Sequence, residues 1–317
     1  MALSIASGNT ELPDMPKLTT TVPKEYVHRA SLAEVFLTGC TAQEGLSFTL
    51  TGQWPRAHTL FNSADGRSHD PLQVAETFRQ AGMFLAHAEM GIPLGHHFVM
   101  WNLNYTTHLE NLDIGPHPTD FVLDVRCADI TYSGRRVSQF HMEFAIHRDS
   151  ALVAHGTSHF SAIAPRVYAR LRASRPQRDD SAVPWHEPTS APMAPASVGR
   201  HLAADVALTP TGDSSRWLLT PDLNHPIFFD HAGDHLPGMV LLEAARQAAC
   251  ALTAPLVMPP SSAATVFHRY AELDRPCWIE VTRLSAEHSE LMTVEVVGRQ
   301  DGEAVFTSTM TGPLQPL

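Results

Sequence analysis

Asp234-His235-Leu236-Pro237-Gly238-Met239-Val240-Leu241-Leu242-Glu243-Ala244-Ala245-Arg246-Gln247-Ala248-Ala249 decides the fold, because the chain has already said much the same earlier: His69-Asp70-Pro71-Leu72-Gln73-Val74-Ala75-Glu76-Thr77-Phe78-Arg79-Gln80-Ala81. Glu76 and Glu243, Arg79 and Arg246, Gln80 and Gln247, and Ala81 and Ala248 all keep one spacing, that from 76 to 243. His58 and His225 keep it, as do Phe61 and Phe228. A repeat of this size means two copies of one structural unit. What is repeated is a polar set inside an apolar helix, so the duplication points to chemistry as well as to architecture.

Working outward, each copy has the same grammar. Two short strands come first, Glu34 to Thr38 and Ser47 to Thr51 in one copy, Asp205 to Thr209 and Arg216 to Thr220 in the other. A histidine-bearing loop and the apolar helix follow. Alternating, β-branched runs close each copy: Phe98 to Tyr105, Phe121 to Arg126, Val137 to His147 and Leu152 to Ile163, then Val266 to Leu273, Cys277 to Leu284, Leu291 to Arg299 and Ala304 to Thr311. Such alternation fits half-buried antiparallel strands. Arg148-Asp149-Ser150 and Gln300-Asp301-Gly302 read as hairpin turns. A helix that is apolar nearly all round must be covered on most sides, and a curved sheet does that. The expected class is α+β, a double hotdog of two tandem units whose sheets join edge to edge and so protect their strand edges. The expected partition is a polar tail over 1–21, one unit over 22–172, a proline-rich linker over 173–197 and a second unit over 198–317. Pro176, Pro184, Pro188, Pro192 and Pro195 bar regular structure in that linker.

Composition removes several classes. A net charge of −11 argues against general nucleic-acid binding and against docking on anionic lipid. Met1 to Thr20 holds Glu11 and Asp14 and no secretory pattern. Gly238 to Met258 is apolar but is broken by Glu243, Arg246 and Gln247, which suits a buried helix and not a membrane span. Cys40, Cys127, Cys250 and Cys277 have no ligand spacing and read as reduced core thiols. The 19 histidines form no metal pattern. A cytoplasmic protein without metal or cofactor is expected.

The helical motif carries the chemistry. Glu243 and Arg246, three residues apart, share a helix face, and Glu76 and Arg79 repeat the arrangement. Gln80 and Gln247 add an amide one position on. Buried charges of this kind must be paired. Two readings stand together: an internal ion pair that ties the helices, and a carboxylate base with a cationic anchor in a cleft between the halves. Pro237-Gly238 before Met239 reads as a helix start where a ligand can approach backbone amides. Asp234-His235 sits just before it, and His69-Asp70 sits at a comparable place before the first helix. A histidine beside a carboxylate is an acid–base pair, while Asp70 and Asp234 equally suit helix N-caps. His231 has no counterpart in the first copy and ranks below His235. Arg166, Arg170, Arg172, Arg175 and Arg178 form a basic run, read first as a solvated face and second as a docking site for an acidic carrier protein.

These residues resemble the A-factor biosynthesis family. The likeness runs from Val22-Pro23-Lys24-Glu25-Tyr26-Val27-His28-Arg29 with Glu34-Val35-Phe36, through the first helix motif, to His225-Pro226 with Phe228-Phe229-Asp230-His231 and the second helix motif, and on into the C-terminal strands. It implies an acyltransferase that moves a β-ketoacyl group from acyl carrier protein, or from CoA, to the hydroxyl of dihydroxyacetone phosphate, opening the synthesis of γ-butyrolactone, butenolide or furan signals. By that resemblance Glu76, Glu243 and Arg246 are active-site groups, and no cofactor is needed. The Pro-Gly helix start also resembles hotdog dehydratases, but the loop from Phe229 to Pro237 is shorter than theirs and their glycine-histidine-phenylalanine-proline signature is missing. The expected mechanism has Glu243, helped by His235, accepting the hydroxyl proton. Helix amides at Gly238 and Met239 stabilise the oxyanion, and Arg246 or Arg79 holds the phosphate. Arg79, Gln80, Gln247, Asp234, Gly238, Met239, His69 and Asp70 are the expected substrate-binding set. Full activity in Glu243→Gln would remove that carboxylate from the chemistry. The rivals are a hotdog thioesterase or dehydratase and a non-catalytic butyrolactone sensor. The expected oligomeric state is a monomer or weak homodimer, since paired halves supply what single hotdogs obtain by dimerising.

Overall fold

The structure is a computed structural model and describes residues 18–173, 190–286 and 289–316. Most of the expected tail and most of the proline-rich linker lie outside the described residues. The first half runs β1 (Leu37–Ala42), β2 (Ser47–Trp54), α1 (Pro71–Ala88), β3 (His97–Thr107), β4 (Thr119–Ser133), β5 (Arg136–Arg148), β6 (Ala151–Ile163) and α2 (Pro165–Arg172). The second runs β7 (Leu208–Pro210), β8 (Arg216–Leu219), α3 (Gly238–Thr253), β9 (Leu256–Val257), β10 (Ser262–Phe267), β11 (Trp278–Arg283), β12 (Leu291–Gln300), β13 (Glu303–Pro313) and β14 (Gln315–Pro316). Twelve strands form one antiparallel sheet in the order β1-β2-β4-β5-β6-β3-β10-β13-β12-β11-β8-β7. Read from either edge the order is the same, so the fold is a double hotdog, α+β. The halves meet where β3 pairs with β10, Tyr105 opposite Ala263 and Leu103 opposite Thr265.

The sheet curves round the two helices and buries them. Every residue of α3 from Met239 to Cys250 is buried, Glu243, Arg246 and Gln247 included. In α1 the residues from Pro71 to His87 are buried except Arg79. Phe78 stacks on Phe144 of β5 at 4.5 Å, which pins α1 to its sheet. Close approach of backbone to ring is built in at Gly156 of β6, where a Cβ would lie 2.3 Å from the Asn104 carbonyl oxygen and 2.7 Å from the Phe78 ring. Both predicted hairpin turns form with two consecutive positive φ angles, Asp149 and Ser150 in one, Asp301 and Gly302 in the other, as a tight turn between twisted strands requires.

Several boundaries differ from the sequence reading. Glu34 and Asp205 do not begin strands: each closes a short 3-10 turn, Leu32–Glu34 and Ala203–Asp205. The reason is a side-chain bond. Glu34 reaches His58 Nε2 at 3.2 Å and Asp205 reaches His225 Nε2 at 2.9 Å, while Nδ1 of each imidazole accepts two backbone amides of its own loop. The basic run starts as a helix, α2, and Arg172 within it is not solvated alone but paired with Asp234 and Glu272.

Candidate functional site

Two ion networks occupy equivalent places. Glu76 Oε1 accepts from Arg29 Nε at 3.0 Å, Arg79 Nη2 at 2.8 Å and Gln80 Nε2 at 2.7 Å, and Oε2 accepts from Arg79 Nε at 2.8 Å. Glu243 Oε1 accepts from Arg200 Nε at 2.7 Å, Arg246 Nη2 at 2.9 Å and Gln247 Nε2 at 2.5 Å, and Oε2 accepts from Arg200 Nη2 at 2.5 Å and Arg246 Nε at 2.8 Å. The glutamine oxygens accept the Phe36 and Ala207 amides, which fixes each helix against its first strand. Burial pushes both carboxyls up, but two guanidinium groups on each outweigh it and hold Glu76 and Glu243 at about 2. A carboxylate so held is poorly matched to proton abstraction near neutral pH.

Arg29 and Arg200 complete these networks and lie off the common spacing of the repeat. They stand 47 residues before Glu76 and 43 before Glu243, so four extra residues in the first half break the common spacing. The available signal is local: Val27-His28-Arg29 and Val198-Gly199-Arg200 each end a 3-10 turn on a left-handed residue, His28 at φ 53° and Gly199 at φ 66°. Each arginine also crosses to the other half. Arg29 Nη1 donates to the Ile227 carbonyl at 2.6 Å, and Arg200 Nη1 donates to the Leu60 carbonyl at 2.5 Å and to Asp70 at 3.2 Å.

The two helix starts differ. Asp70 is the N-cap of α1 and accepts the Leu72 amide at 2.9 Å. It is buried against Arg200. His69 is buried too, its Nε2 on Thr119 at 2.9 Å and its ring against Trp54, and burial lowers its pKa to about 4. The N-cap of α3 is Pro237, with no side-chain cap. His69 and His235 are therefore not counterparts. His69 lies two residues before the first residue of α1 and packs inward, while His235 lies three before α3 on a half-exposed bridge to Glu272.

The uncapped start of α3 opens on a cavity of about 980 Å³ between the halves. Its apolar wall includes Met83, Phe98, Met100, Phe160, Ile163 and Leu241, and its polar lining includes Arg29, Arg79, Asp234, His235, Gly238 and Tyr270. Of the predicted site residues, Asp234, His235, Gly238, Met239 and Arg79 come together here. Glu76, Glu243, Arg246, Gln80, Gln247, His69 and Asp70 stand outside this lining. Arg79 has an 18% exposed side chain, against 6% for Arg246, so the first-half arginine is the one that reaches the cavity.

His235 and Asp234 form a braced pair. His235 Nδ1 donates to Asp234 Oδ1 at 2.7 Å, the same oxygen accepts the Tyr168 hydroxyl at 2.6 Å, and Arg172 Nε donates to Oδ2 at 2.9 Å. The bond from His235 outweighs burial and, with Tyr168 and Arg172, holds the Asp234 carboxyl far below the usual carboxylate range. His235 Nε2 is left with no protein partner among the described residues. The Tyr270 ring lies edge-on to the imidazole at 4.7 Å, and its buried hydroxyl has no hydrogen-bond partner among the described residues. His28, with its pKa lowered to about 3 by burial and by the nearby Arg79, is neutral beside that guanidinium. Tyr168 and Tyr270 had no motif to announce them, and Arg172 was visible only as one member of the basic run: α2 brings Tyr168 and Arg172 to the site from the end of the first half.

Residues 10–164 and 183–314 match the A-factor biosynthesis hotdog domain. A protein of Streptomyces virginiae called 2-oxo-3-(phosphooxy)propyl 3-oxoalkanoate synthase is 44% identical over 290 residues, covering 92% of this chain and 97% of that one. One of the same name from Streptomyces coelicolor is 37% identical over 313 residues, 98% of each. Among solved structures, a 12:0-ACP thioesterase from Umbellularia californica superposes with a TM-score of 0.51 at 13% identity, over 87% of this chain and all of that one, which speaks to the fold alone.

Proposed function

Because the chain belongs to the A-factor biosynthesis hotdog family, we propose that it joins a 3-oxoacyl group to the free hydroxyl of dihydroxyacetone phosphate, drawing the acyl group from a thioester. The name its relatives carry describes that ester, a 3-oxoalkanoate of the 2-oxo-3-(phosphooxy)propyl alcohol. The observation that carries the reading is the cavity itself. One apolar wall suits an acyl chain, and the other side offers guanidinium groups, an oriented imidazole and an uncapped helix start to a phosphorylated alcohol.

In the mechanism we propose, the thioester carbonyl lies against the first-turn amides of α3 at Gly238 and Met239, which stabilise the oxyanion as it forms. His235 Nε2, its ring held by Asp234, takes the hydroxyl proton. The alkoxide oxygen bonds to the carbonyl carbon, the carbon–sulfur bond breaks, and the proton passes from His235 to the departing thiolate. Tyr270 donates its hydroxyl to the substrate. Arg79, already paired with Glu76 on one side, presents its remaining donors to the phosphate. Glu76, Glu243 and Arg246 act by holding α1 and α3 in register, so the internal ion-pair reading of the helix motif outweighs the base reading. The test is purified protein with a 3-oxoacyl thioester, with and without dihydroxyacetone phosphate, followed by mass spectrometry. Formation of the phosphorylated keto ester only with the acceptor supports the transferase. Free 3-oxo acid released equally without the acceptor overturns it in favour of a thioesterase.

A further inference from the structure

We propose that the exposed face of α2 is the docking surface for an acidic carrier protein that delivers the acyl thioester to the cavity. The helix reads Pro165-Arg166-Val167-Tyr168-Ala169-Arg170-Leu171-Arg172 and holds three arginines and no acid, in a chain whose net charge is −11. Its inner face is fixed. Tyr168 and Arg172, one turn apart, bond to Asp234, and Arg172 also holds Glu272 through both guanidinium ends. Its outer face is presented rigidly as a result. Arg166 and Arg170 are exposed and have no ion-pair partner among the described residues. Val167 is 40% and Leu171 56% exposed beside them. Each pair is spaced i, i+4, so two arginines and two aliphatic groups make adjacent stripes of one surface.

Position gives this surface its use. Leu171 lines the cavity as well as facing solvent, so the basic face begins at the rim. A thioester on a flexible arm enters from a body standing there. Charge complementarity selects an acidic body, and the aliphatic stripe beside the arginines matches a protein surface better than a nucleotide phosphate. The proposal rests on the transferase reading in one respect, that an acyl thioester must reach this cavity.

The experiment compares Arg166→Glu/Arg170→Glu with the parent and with a charge-matched control, Arg135→Glu/Arg136→Glu, on the turn between β4 and β5. The probe is a fluorescently labelled holo acyl carrier protein of acidic composition, titrated by anisotropy at low salt. Transfer is assayed in parallel with its 3-oxoacyl thioester and with a 3-oxoacyl pantetheine thioester. The α2 variant is expected to bind the carrier at least tenfold more weakly and to raise KM for the carrier thioester alike, with unchanged KM for the pantetheine thioester and an unchanged melting temperature; the control stays at parent values. Carrier binding unaffected by the α2 reversal, or weakened equally by the control, overturns the proposal. So does an equal rise in KM for the pantetheine thioester, which assigns the arginines to the small substrate. If no donor yields ester while carrier binding still depends on α2, docking stands and the transferase reading fails.

Discussion

Glu243→Gln separates structure from chemistry in this site. The amide keeps the shape of the carboxylate but leaves Arg200 and Arg246 facing one another with side chains 2% and 6% exposed. Removing one partner of a buried pair costs about 3–5 kcal/mol. The depressed carboxyl points the same way. The carboxyl falls from its ordinary 4.5 to about 2, and that interval corresponds to about 3 kcal/mol of stability. Because the pKa is depressed on folding, this stability is present above pH 4.5 and is lost as pH falls from there toward 2. For a chain of 317 residues, about 3 kcal/mol lowers the melting temperature by roughly 4–5 °C. Calorimetry at pH 7 reads the drop, and a second scan at pH 3 shows the difference between variant and parent shrinking, because the unfolded carboxyl is protonated there while the folded one, held at about 2, still is not. Transfer measured well below the transition stays within about tenfold of the parent, since the group is not asked to move a proton. A variant that melts within about 2 °C of the parent yet loses transfer a hundredfold refutes the reasoning and returns the carboxylate to the chemistry. Replacing the whole set, as Asp70→Asn/Arg200→Met/Glu243→Leu/Arg246→Met, regains much of the lost stability, because the Asp70 carboxylate that faces both arginines is neutralised with them and no charge is stranded.

His235→Ala lowers kcat by about 10²–10⁴ with an unchanged melting temperature, the range of a lost general base; steady-state assays beside calorimetry check both halves of the statement. Arg79→Lys raises KM for dihydroxyacetone phosphate about tenfold or more with a smaller effect on KM for the thioester, because a point charge replaces a planar fork. Tyr270→Phe leaves folding intact, since the hydroxyl it removes has no protein partner among the described residues, and lowers kcat/KM by about tenfold, the worth of one hydrogen bond. Gly156→Ala places a methyl 2.3 Å from the Asn104 carbonyl oxygen and destabilises by about 3 kcal/mol, read as a fall in melting temperature.

The fold was legible because its signals are local and repeated. The polar set from Glu76 to Gln80 and its copy from Glu243 to Gln247 show that two like helices exist, and strand alternation shows what covers them. The proposed site was legible only where neighbours in sequence are neighbours in space, as in Asp234-His235 and Pro237-Gly238, which line the cavity together. Arg29 and Arg200 escaped because four residues between the lead-in turn and the helix shift their spacing. The sequence shows each glutamate with one arginine, Arg79 or Arg246, but not the second, Arg29 or Arg200, that the structure sets against it, so the base and ion-pair readings of the motif stood together there. His69-Asp70 looked like a second acid–base pair because adjacency does not reveal which way a side chain points: Asp70 caps α1 and His69 turns to Thr119.

A dimer of identical single hotdogs obeys its own two-fold axis, and whatever one cleft binds the other must bind. Here both copies share one polypeptide, and each position mutates alone. The difference between Asp70, which stoppers one helix start, and Pro237, which leaves the other open, is a difference such an axis forbids. On the proposed function, the consequence is a stoichiometry: one transfer site per pair of hotdogs, to which the stoppered copy lends lining residues such as Arg79 and Met83.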